Sequence, residues 1–302
     1  MKDLFDYYKE NGSIPLIYNC GSKFNNFSNF GDILSIQLLE KLNPRVVFRL
    51  ANGIEAVDIK IPKLLSIGTI LNRNRKGYCC VWGTGLDKTL YKHDDDLMLD
   101  VRAVRGRFTA EFLRKKGYHV PEVYGDPAIL IDRNSVFSEK KYELGIIPHL
   151  SNYSLKEKTK PNYNCFMDYD DERVKIISPK IPYGSDSYLK IKEINSCRRI
   201  LSQSLHGCII ADTLGIPNLF FQESFDLPSG VNKLNILSKQ LEHRYQDYIS
   251  SFNKKRAIIY NIDRSGRFDI DKLILDIDTY YEVKGVDSLI DGLMESFPIN
   301  FE

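Results

Sequence analysis

Short apolar segments alternate with segments of helical periodicity along most of the chain. Apolar runs predict strands at 16–20, 46–50, 63–67, 78–82, 100–105, 144–149, 174–177 and 218–221. Apolar positions at helical spacing predict helices at 33–42, 108–117 and 186–197, and near the end of the chain at 231–253, 269–281 and 286–296. Strands that alternate with helices are typical of α/β proteins with parallel sheets.

The polar segment 133–141 separates two such patterns and is interpreted as a linker. We therefore expect two Rossmann-like parallel-sheet domains, residues 1–137 and 138–302, that face a common cleft. The last helices are expected to pack back on the first domain. The segment 151–171 has no periodicity and predicts a loop, and the segment 222–230 predicts a loop that folds over the cleft.

The composition indicates a folded protein of the cytoplasm. Of 302 residues, 43% are hydrophobic and 27% are charged, which suffices for sizeable cores. A net charge of +2 gives no reason to expect nucleic acid as a partner. The six cysteines show no CxxC spacing, so they are interpreted as reduced thiols.

Targeting and metal-binding signals are not found. The first ten residues predict a short amphipathic helix rather than a signal peptide, and no apolar stretch approaches the roughly 18 residues of a membrane span. The charged stretch 92–96 has no second ligand cluster at a suitable spacing, so we interpret it as a solvated loop and predict no metal site.

The segment 199–221 carries the clearest functional signal. It predicts a strand, a turn at Ser204, a helix that contains His206, and a stop at Gly215 and Pro217. In open α/β sheets, ligands bind at the carboxyl ends of the strands, where the first N–H groups of a helix attract anions. His206 therefore stands at an expected anion site. The alternative is that His206 only caps its helix.

Two turns in the first half are further candidates. Gly31 allows a close approach of the backbone. Asp32 is a natural N-cap for the helix that follows, and capping alone is the simplest explanation for this residue. The turn Gly83–Gly85 follows a predicted strand, although such a turn is a weak signal by itself.

Two arginines and a histidine also follow predicted strands. Arg102 and Arg105 lie at the far end of the strand 100–105, where a guanidinium group can bind a carboxylate or a phosphate through two parallel hydrogen bonds. The alternative for Arg105 is a surface ion pair. His149 ends the strand 144–149 and has a purely structural alternative as well.

Several blocks in the same order resemble the polysaccharide pyruvyl transferase family. They are the Asn29–Asp32 turn, Gly83-Thr-Gly85, the Arg105-Gly turn with its helix and Gly125-Asp-Pro-Ala128, Ile146-Ile-Pro-His149, and Ser204-Leu-His-Gly207 followed by Gly215-Ile-Pro217. The resemblance spans about residues 14–222. It implies a GT-B-like pair of domains and the transfer of pyruvate from phosphoenolpyruvate to two sugar hydroxyls as a ketal, with release of phosphate.

The resemblance also implies site residues. The catalytic residues would be His206, His149 and Arg105, and the substrate-binding residues would be Asn29, Gly31, Asp32, Gly83, Thr84, Gly85, Arg102, Ser204, Leu205 and Gly207. His206 is expected to act as the general acid or base, because the intrinsic pKa of histidine is near neutral. Phosphoenolpyruvate is the donor substrate, and no metal or other cofactor is required.

One position departs from part of the family. Some members carry an arginine two residues before the motif histidine, where this chain has Ser204. Another donor to the phosphoenolpyruvate anion is then needed, and Arg102 and Arg198 are the candidates.

The acceptor would be a sugar of a bacterial surface polysaccharide, such as a capsule or an exopolysaccharide, or its lipid-linked precursor. A lipid-linked acceptor would place the protein at the inner face of the membrane without a transmembrane segment. Two alternatives remain: a GT-B-like glycosyltransferase that uses a nucleotide sugar, and a relative that binds a sugar or an anion without catalysis.

Overall fold

The computed structural model describes residues 3–19, 27–51, 53–71, 76–87, 89–90, 97–150, 171–262 and 269–299. The charged stretch 92–96, most of the predicted loop 151–171, and two of the cysteines, Cys20 and Cys165, lie outside these residues.

The first half of the chain contains a five-stranded sheet and four α-helices among the residues described. In chain order its elements are α1 (Leu4–Asn11), β1 (Ile14–Ile17), β2 (Phe27–Asn29), α2 (Phe30–Leu42), β3 (Phe48–Leu50), α3 (Gly53–Val57), β4 (Lys63–Leu65), β5 (Gly77–Trp82), β6 (Leu97–Ala103) and α4 (Arg107–Lys115). Short 3-10 helices follow at Pro127–Leu130 and Asn134–Val136.

The second half contains a six-stranded sheet with helices around it. In chain order its elements are β7 (Leu144–Ile147), β8 (Val174–Ile176), β9 (Lys180–Pro182), α5 (Ser187–Asn195), β10 (Ile200–Ser202), α6 (Leu205–Thr213), β11 (Asn218–Glu223), β12 (Gly230–Asn235), α7 (His243–Ser250), β13 (Arg256–Ile262), α8 (Ile270–Tyr280) and α9 (Asp287–Glu295).

The parallel strands of the two sheets have the same order. The first sheet runs β3-β1-β4-β5-β6 with all pairs parallel, and the second runs β12-β13-β11-β10-β7-β8 with only β12 antiparallel. If the parallel strands of each sheet are counted in chain order, both orders are 2-1-3-4-5, which is that of flavodoxin-type sheets within the doubly wound class. The predicted α/β class with parallel sheets is confirmed, while the domain limits and the GT-B-like arrangement stay predictions.

Backbone pairing and side-chain packing connect the two halves. Strand β2 of the first half pairs antiparallel with β9 of the second, and the N–H of Phe30 donates to the carbonyl of Pro179 at 3.0 Å. The indole Nε1 of Trp82 on β5 donates to the carbonyl of Leu293 on α9 at 2.9 Å. The two-stranded sheet of β2 and β9 fixes the start of α2, and α9 packs on the first sheet.

The bounds of α2 and α6 follow from their caps. The side chain of Asn29 accepts the N–H of Gly31 at 2.9 Å, so Asn29 is the N-cap of α2 and the prediction that Asp32 caps it is wrong. Helix α6 begins after Ser204 and is followed by Gly215, whose φ of 68° lies in the left-handed region.

Two details of the predicted elements are wrong. The segment 231–253 is not one helix, because buried and exposed residues alternate along β12 before the chain turns into α7. The buried apolar run of β13 has no counterpart among the predicted strands.

A buried ion pair ties α6 to the segment before α9. The Nζ of Lys284 lies 2.8 Å from Oδ1 of Asp212, and the two side chains are 8% and 1% exposed. Asp212 also accepts hydrogen bonds from the Tyr248 hydroxyl at 2.9 Å and from Nδ2 of Asn218 at 2.6 Å.

We expect Lys284→Ala to lower the free energy of unfolding by about 3 kcal/mol, because it leaves the buried Asp212 carboxylate without its cation. Urea unfolding monitored by the fluorescence of Trp82 measures this. Lys254→Ala is the matched control, since it removes an exposed pair with Glu282 and should cost less than about 1 kcal/mol. Equal losses in the two variants would contradict a stabilising role for the buried pair.

Candidate active site

One cavity of about 230 Å³ lies between the two sheets and is lined by both halves of the chain. Its lining residues are Asn19, Asn29, Asp32, Gly68, Thr69, Ile70, Arg105, His149, Leu150, Ser204, Leu205, His206 and Arg244.

The strand order explains where this cavity forms. In the first sheet the order reverses between β1 and β4, and the lining residues Asn19 and Gly68–Ile70 follow these two strands. In the second sheet it reverses between β7 and β10, which are followed by His149 and by Ser204–His206. Ligands of doubly wound sheets bind at such reversals, where the connections leave a crevice. The cavity therefore joins the expected ligand sites of both sheets.

His206 is held between two helix N-termini. It lies in the first turn of α6 and is 8% exposed. A methyl group built on Gly31, in the first turn of α2, would overlap the imidazole ring, so only glycine lets α2 approach this closely. The Nε2 atom is buried and has no hydrogen-bond partner among the described residues.

This environment keeps the imidazole neutral. Burial, together with the positive charges of Arg105 and Arg244, lowers the pKa of His206 to about 3. The pKa of His149 is also lowered, by burial and by Arg244, while Glu242 opposes the shift. At neutral pH, the folded protein therefore holds His206 in its unprotonated state.

Arg105 places a buried guanidinium group against the cavity. Its side chain is 0% exposed, Nε donates to Oδ2 of Asp247 at 3.1 Å, and Nη1 donates to Oγ1 of Thr69 at 2.8 Å. The Nη2 atom is buried and has no partner within the described ranges. A methyl group on Gly85 would overlap the guanidinium group, so Gly85 forms part of the surface against which Arg105 packs.

Arg244 is a second cationic residue of the cavity, and no motif in the sequence indicated it. It lies in the first turn of α7, where its Nε donates to Oε1 of Glu242 at 2.6 Å. Its Nη2 atom lies 3.4 Å from Nε2 of His149. Because the segment 231–253 had been interpreted as one helix, the start of α7 at His243 was not visible in the sequence.

The start of α6 offers hydrogen-bond donors. Ser204 is its N-cap but makes no side-chain capping bond, and its hydroxyl has no hydrogen-bond partner among the residues that the structure describes. The first N–H groups of a helix have no partner within the helix, and the helix dipole attracts anions to them. The cavity is therefore suited to an anion at this end.

Oxygen atoms line the side of the cavity near α2. Asp32 accepts a hydrogen bond from Nδ2 of Asn19 at 3.2 Å, and Asn29 lies beside it at the N-cap of α2. Carboxylate and amide groups of this kind form hydrogen bonds with hydroxyl groups.

Several predicted site residues do not line the cavity. Thr84 is fully buried and donates to the carbonyl of Gly68 at 2.6 Å, so it supports the loop after β4. Gly207 packs against Ser202, because a methyl group there would overlap the Ser202 hydroxyl. Arg102 is 50% exposed and pairs with Asp100 at 2.9 Å, and Arg198 pairs with Glu143 at 3.0 Å. Gly85 packs against the guanidinium group of Arg105, whereas Gly83 packs against Pro127.

The family model named polysaccharide pyruvyl transferase matches residues 29–224 of the 302. The chain belongs to the polysaccharide pyruvyl transferase family. The match contains Asn29, Arg105, His149 and His206, whereas Arg244 lies beyond it. The predicted membership of the polysaccharide pyruvyl transferase family is thus confirmed.

Two similar proteins carry no assigned function. An uncharacterised protein of Acanthamoeba polyphaga mimivirus is 31% identical over 164 residues, which are 52% of each chain, so this chain spans about half the length of that relative. A crystal structure of a functionally uncharacterised protein of Klebsiella pneumoniae is 13% identical, with a TM-score of 0.42 over 74% of this chain and 91% of the other.

The described residues contain neither a membrane-spanning helix nor a group of metal ligands. No helix in this part of the chain is long and apolar enough to cross a membrane. No three His, Cys, Asp or Glu side chains in it are grouped so that they could hold a metal ion.

We expect the lowered pKa of His206 to make the stability of the protein depend on pH. Between about pH 3 and 6.5 the unfolded state binds a proton that the folded imidazole does not, so stability falls as the pH is lowered through this window. Between pH 7 and pH 5 the wild type should lose about 2 kcal/mol more than His206→Gln. Urea unfolding at the two pH values measures the difference.

The exposed His119 provides the control for this measurement. His119→Gln leaves the buried imidazole in place, so it should keep the pH dependence of the wild type. If His206→Gln and the wild type lose the same stability between pH 7 and pH 5, the imidazole is not held neutral by burial.

Proposed function

We propose that the protein transfers pyruvate from phosphoenolpyruvate to two hydroxyls of a sugar and forms a pyruvate ketal. The observation that carries the proposal is that Arg105, Arg244, the start of α6 and the neutral His206 all meet in one cavity.

The cavity suits a small molecule with two anionic groups. Its volume of about 230 Å³ is below the range of roughly 300–1,000 Å³ that is usual for larger ligands. Phosphoenolpyruvate carries a carboxylate and a phosphate, and two guanidinium groups reach the cavity from opposite halves of the chain. Charge-assisted hydrogen bonds from guanidinium groups and helix N-termini are the usual means of binding both groups.

The sugar would bind on the side of Asp32 and Asn29, which offers hydrogen-bonding groups but no cation among the described lining residues. Phosphoenolpyruvate and the sugar would then lie on opposite sides of His206. Holding both reactants in one geometry lowers the barrier, because they no longer lose their freedom of motion in the reaction step.

The reaction balances without a further co-substrate. A proton adds to the methylene carbon of phosphoenolpyruvate, and the neighbouring carbon becomes cationic and is attacked by the first sugar hydroxyl, which loses its proton. The bond from this carbon to the phosphate oxygen then breaks, inorganic phosphate leaves, and the second hydroxyl attacks to close the ketal ring. The two protons that the hydroxyls lose balance the one added to carbon and the one taken up by phosphate.

His206 is proposed as the base that accepts the proton of a sugar hydroxyl. The imidazole is neutral in the free cavity, and Nε2 lacks a partner among the residues described. The negative charge of bound phosphoenolpyruvate would offset the charges of Arg105 and Arg244. The pKa of the imidazole would therefore rise, which favours its protonated form after the transfer.

The proposal also contains the remaining expectations from the sequence. The two sheets would form a GT-B-like pair of domains, residues 1–137 and 138–302, around the cavity. The acceptor would be a bacterial surface polysaccharide or its lipid-linked precursor, and a lipid-linked acceptor would bring the protein to the inner face of the membrane. Phosphoenolpyruvate would be the donor, with no further cofactor.

We expect the protein to release phosphate from phosphoenolpyruvate when the correct acceptor is present, with a product whose mass increases by one pyruvate ketal. A panel of lipid-linked and aryl hexosides tests this. His206→Gln should lower turnover by about 10²- to 10⁴-fold, the usual contribution of a general base, and should keep phosphoenolpyruvate binding. His119→Gln is the control and should keep the wild-type rate.

Three outcomes would contradict parts of this proposal. Equal loss of binding and turnover in His206→Gln would contradict the role of base. Thermal protection by phosphoenolpyruvate without turnover of any acceptor would favour a binding protein without catalysis. A panel that gives neither turnover nor thermal protection would contradict phosphoenolpyruvate as the donor, and nucleotide sugars would be tested next.

A further inference from the structure

We infer that Arg244 is a binding residue for one anionic end of phosphoenolpyruvate, and that Glu242 positions its guanidinium group for this purpose. The inference rests on the proposed function, and it assigns a role to a residue outside the region matched by the family model.

The place of Arg244 in its helix is unfavourable by itself. It lies in the first turn of α7, where the helix dipole favours anions, and this turn contains no acidic residue. Glu242 offsets the cost, because its Oε2 atom accepts the N–H groups of Arg244 and Tyr245 at 3.1 and 3.0 Å. Its Oε1 atom accepts Nε of Arg244 at 2.6 Å. One carboxylate thus caps the helix and orients the guanidinium group.

Part of the guanidinium group is left for a ligand. Nε donates to Glu242 and Nη2 lies 3.4 Å from the His149 ring, while Nη1 makes no hydrogen bond within the described residues. The side chain lines the cavity and is 31% exposed. Ser204 lines the same cavity with a hydroxyl that has no hydrogen-bond partner in the described part of the chain. An anion between them would meet Nη1, this hydroxyl and the start of α6.

The electrostatics support this position. The positive charge of Arg244 lowers the pKa of both His149 and His206, so its field reaches both imidazole rings. Arg105 occupies another part of the lining and is held by Asp247. Two separate guanidinium groups therefore face a cavity whose proposed ligand has two separate anionic groups.

The other two arginines that the sequence suggested do not fill this role. Arg102 and Arg198 are 50% and 53% exposed, and each pairs with a carboxylate outside the cavity lining. In the described part of the chain, the arginines that line the cavity are Arg105 and Arg244.

The test compares the dissociation constants of phosphoenolpyruvate for the full chain, measured by calorimetry. Arg244→Ser should weaken binding by roughly 10- to 100-fold, the loss expected for a hydrogen bond to a charged group. Arg173→Ser is the matched control, because Arg173 pairs with Asp171 and Asp271 away from the cavity and should leave binding unchanged.

A second variant distinguishes the loss of the Arg244 cation from a disturbance of helix α7. Ser204→Arg combined with Arg244→Ser returns a guanidinium group to the cavity from the other side. The Ser204 side chain makes no capping bond that the variant would remove, and the melting temperature of the variant measures the cost of placing a guanidinium group at this buried helix N-terminus. We expect the double variant to bind at least tenfold more tightly than Arg244→Ser alone.

The failures of this inference and of the proposed function are distinguishable. If the wild type binds phosphoenolpyruvate and Arg244→Ser binds it with the same dissociation constant, the role of Arg244 is overturned and the proposed function stays intact. A double variant that melts like the wild type but binds as weakly as Arg244→Ser would also overturn it. No binding of phosphoenolpyruvate to the wild type would overturn the proposed function and this inference together.

Discussion

The buried ion pair between Arg105 and Asp247 connects the two halves of the protein at the cavity. Its side chains are 0% and 3% exposed, and Asp247 also accepts the N–H and the hydroxyl of Thr109 at 3.0 and 2.7 Å. Gly106 allows this contact, because a side chain there would overlap the backbone of Asp247. Removing one partner of such a pair leaves a buried charge and costs about 3–5 kcal/mol. The pair fixes Arg105 and docks α7, which carries Arg244.

The cavity combines positive charge with a neutral imidazole. Each guanidinium group has a carboxylate partner, Asp247 or Glu242, and these partners limit the cost of holding the two cations close together. The same charges, together with burial, keep His206 unprotonated. An arriving anion would therefore bind to arginine and to the start of α6, while the histidine stays available as a base. In the proposed function, the residues that bind the anion are thus distinct from the residue that accepts a proton.

Local sequence patterns predicted most elements but fewer of the site contacts. Apolar runs predicted most of the parallel strands, and the Ser204–Gly207 motif predicted the start of α6, because both signals lie within a few residues. Arg244 could not be found in this way, since its approach to His149 depends on how α7 packs against α4 and β11. Thr84 and Gly207 were expected to bind substrate, yet they support the loop after β4 and the packing on Ser202. A turn at a strand end can be predicted from a few neighbouring residues. Which side chains of that turn line a cavity depends on residues that are distant in the sequence.

A crystal structure of the protein with phosphoenolpyruvate tests the central claim most directly. The account expects the ligand in the 230 Å³ cavity, with one anionic group near Arg244, Ser204 and the start of α6, and the other near Arg105. The carbon that is attacked should face His206 and the side lined by Asp32. Phosphoenolpyruvate bound elsewhere, or an empty cavity at concentrations that saturate binding in solution, would contradict the account.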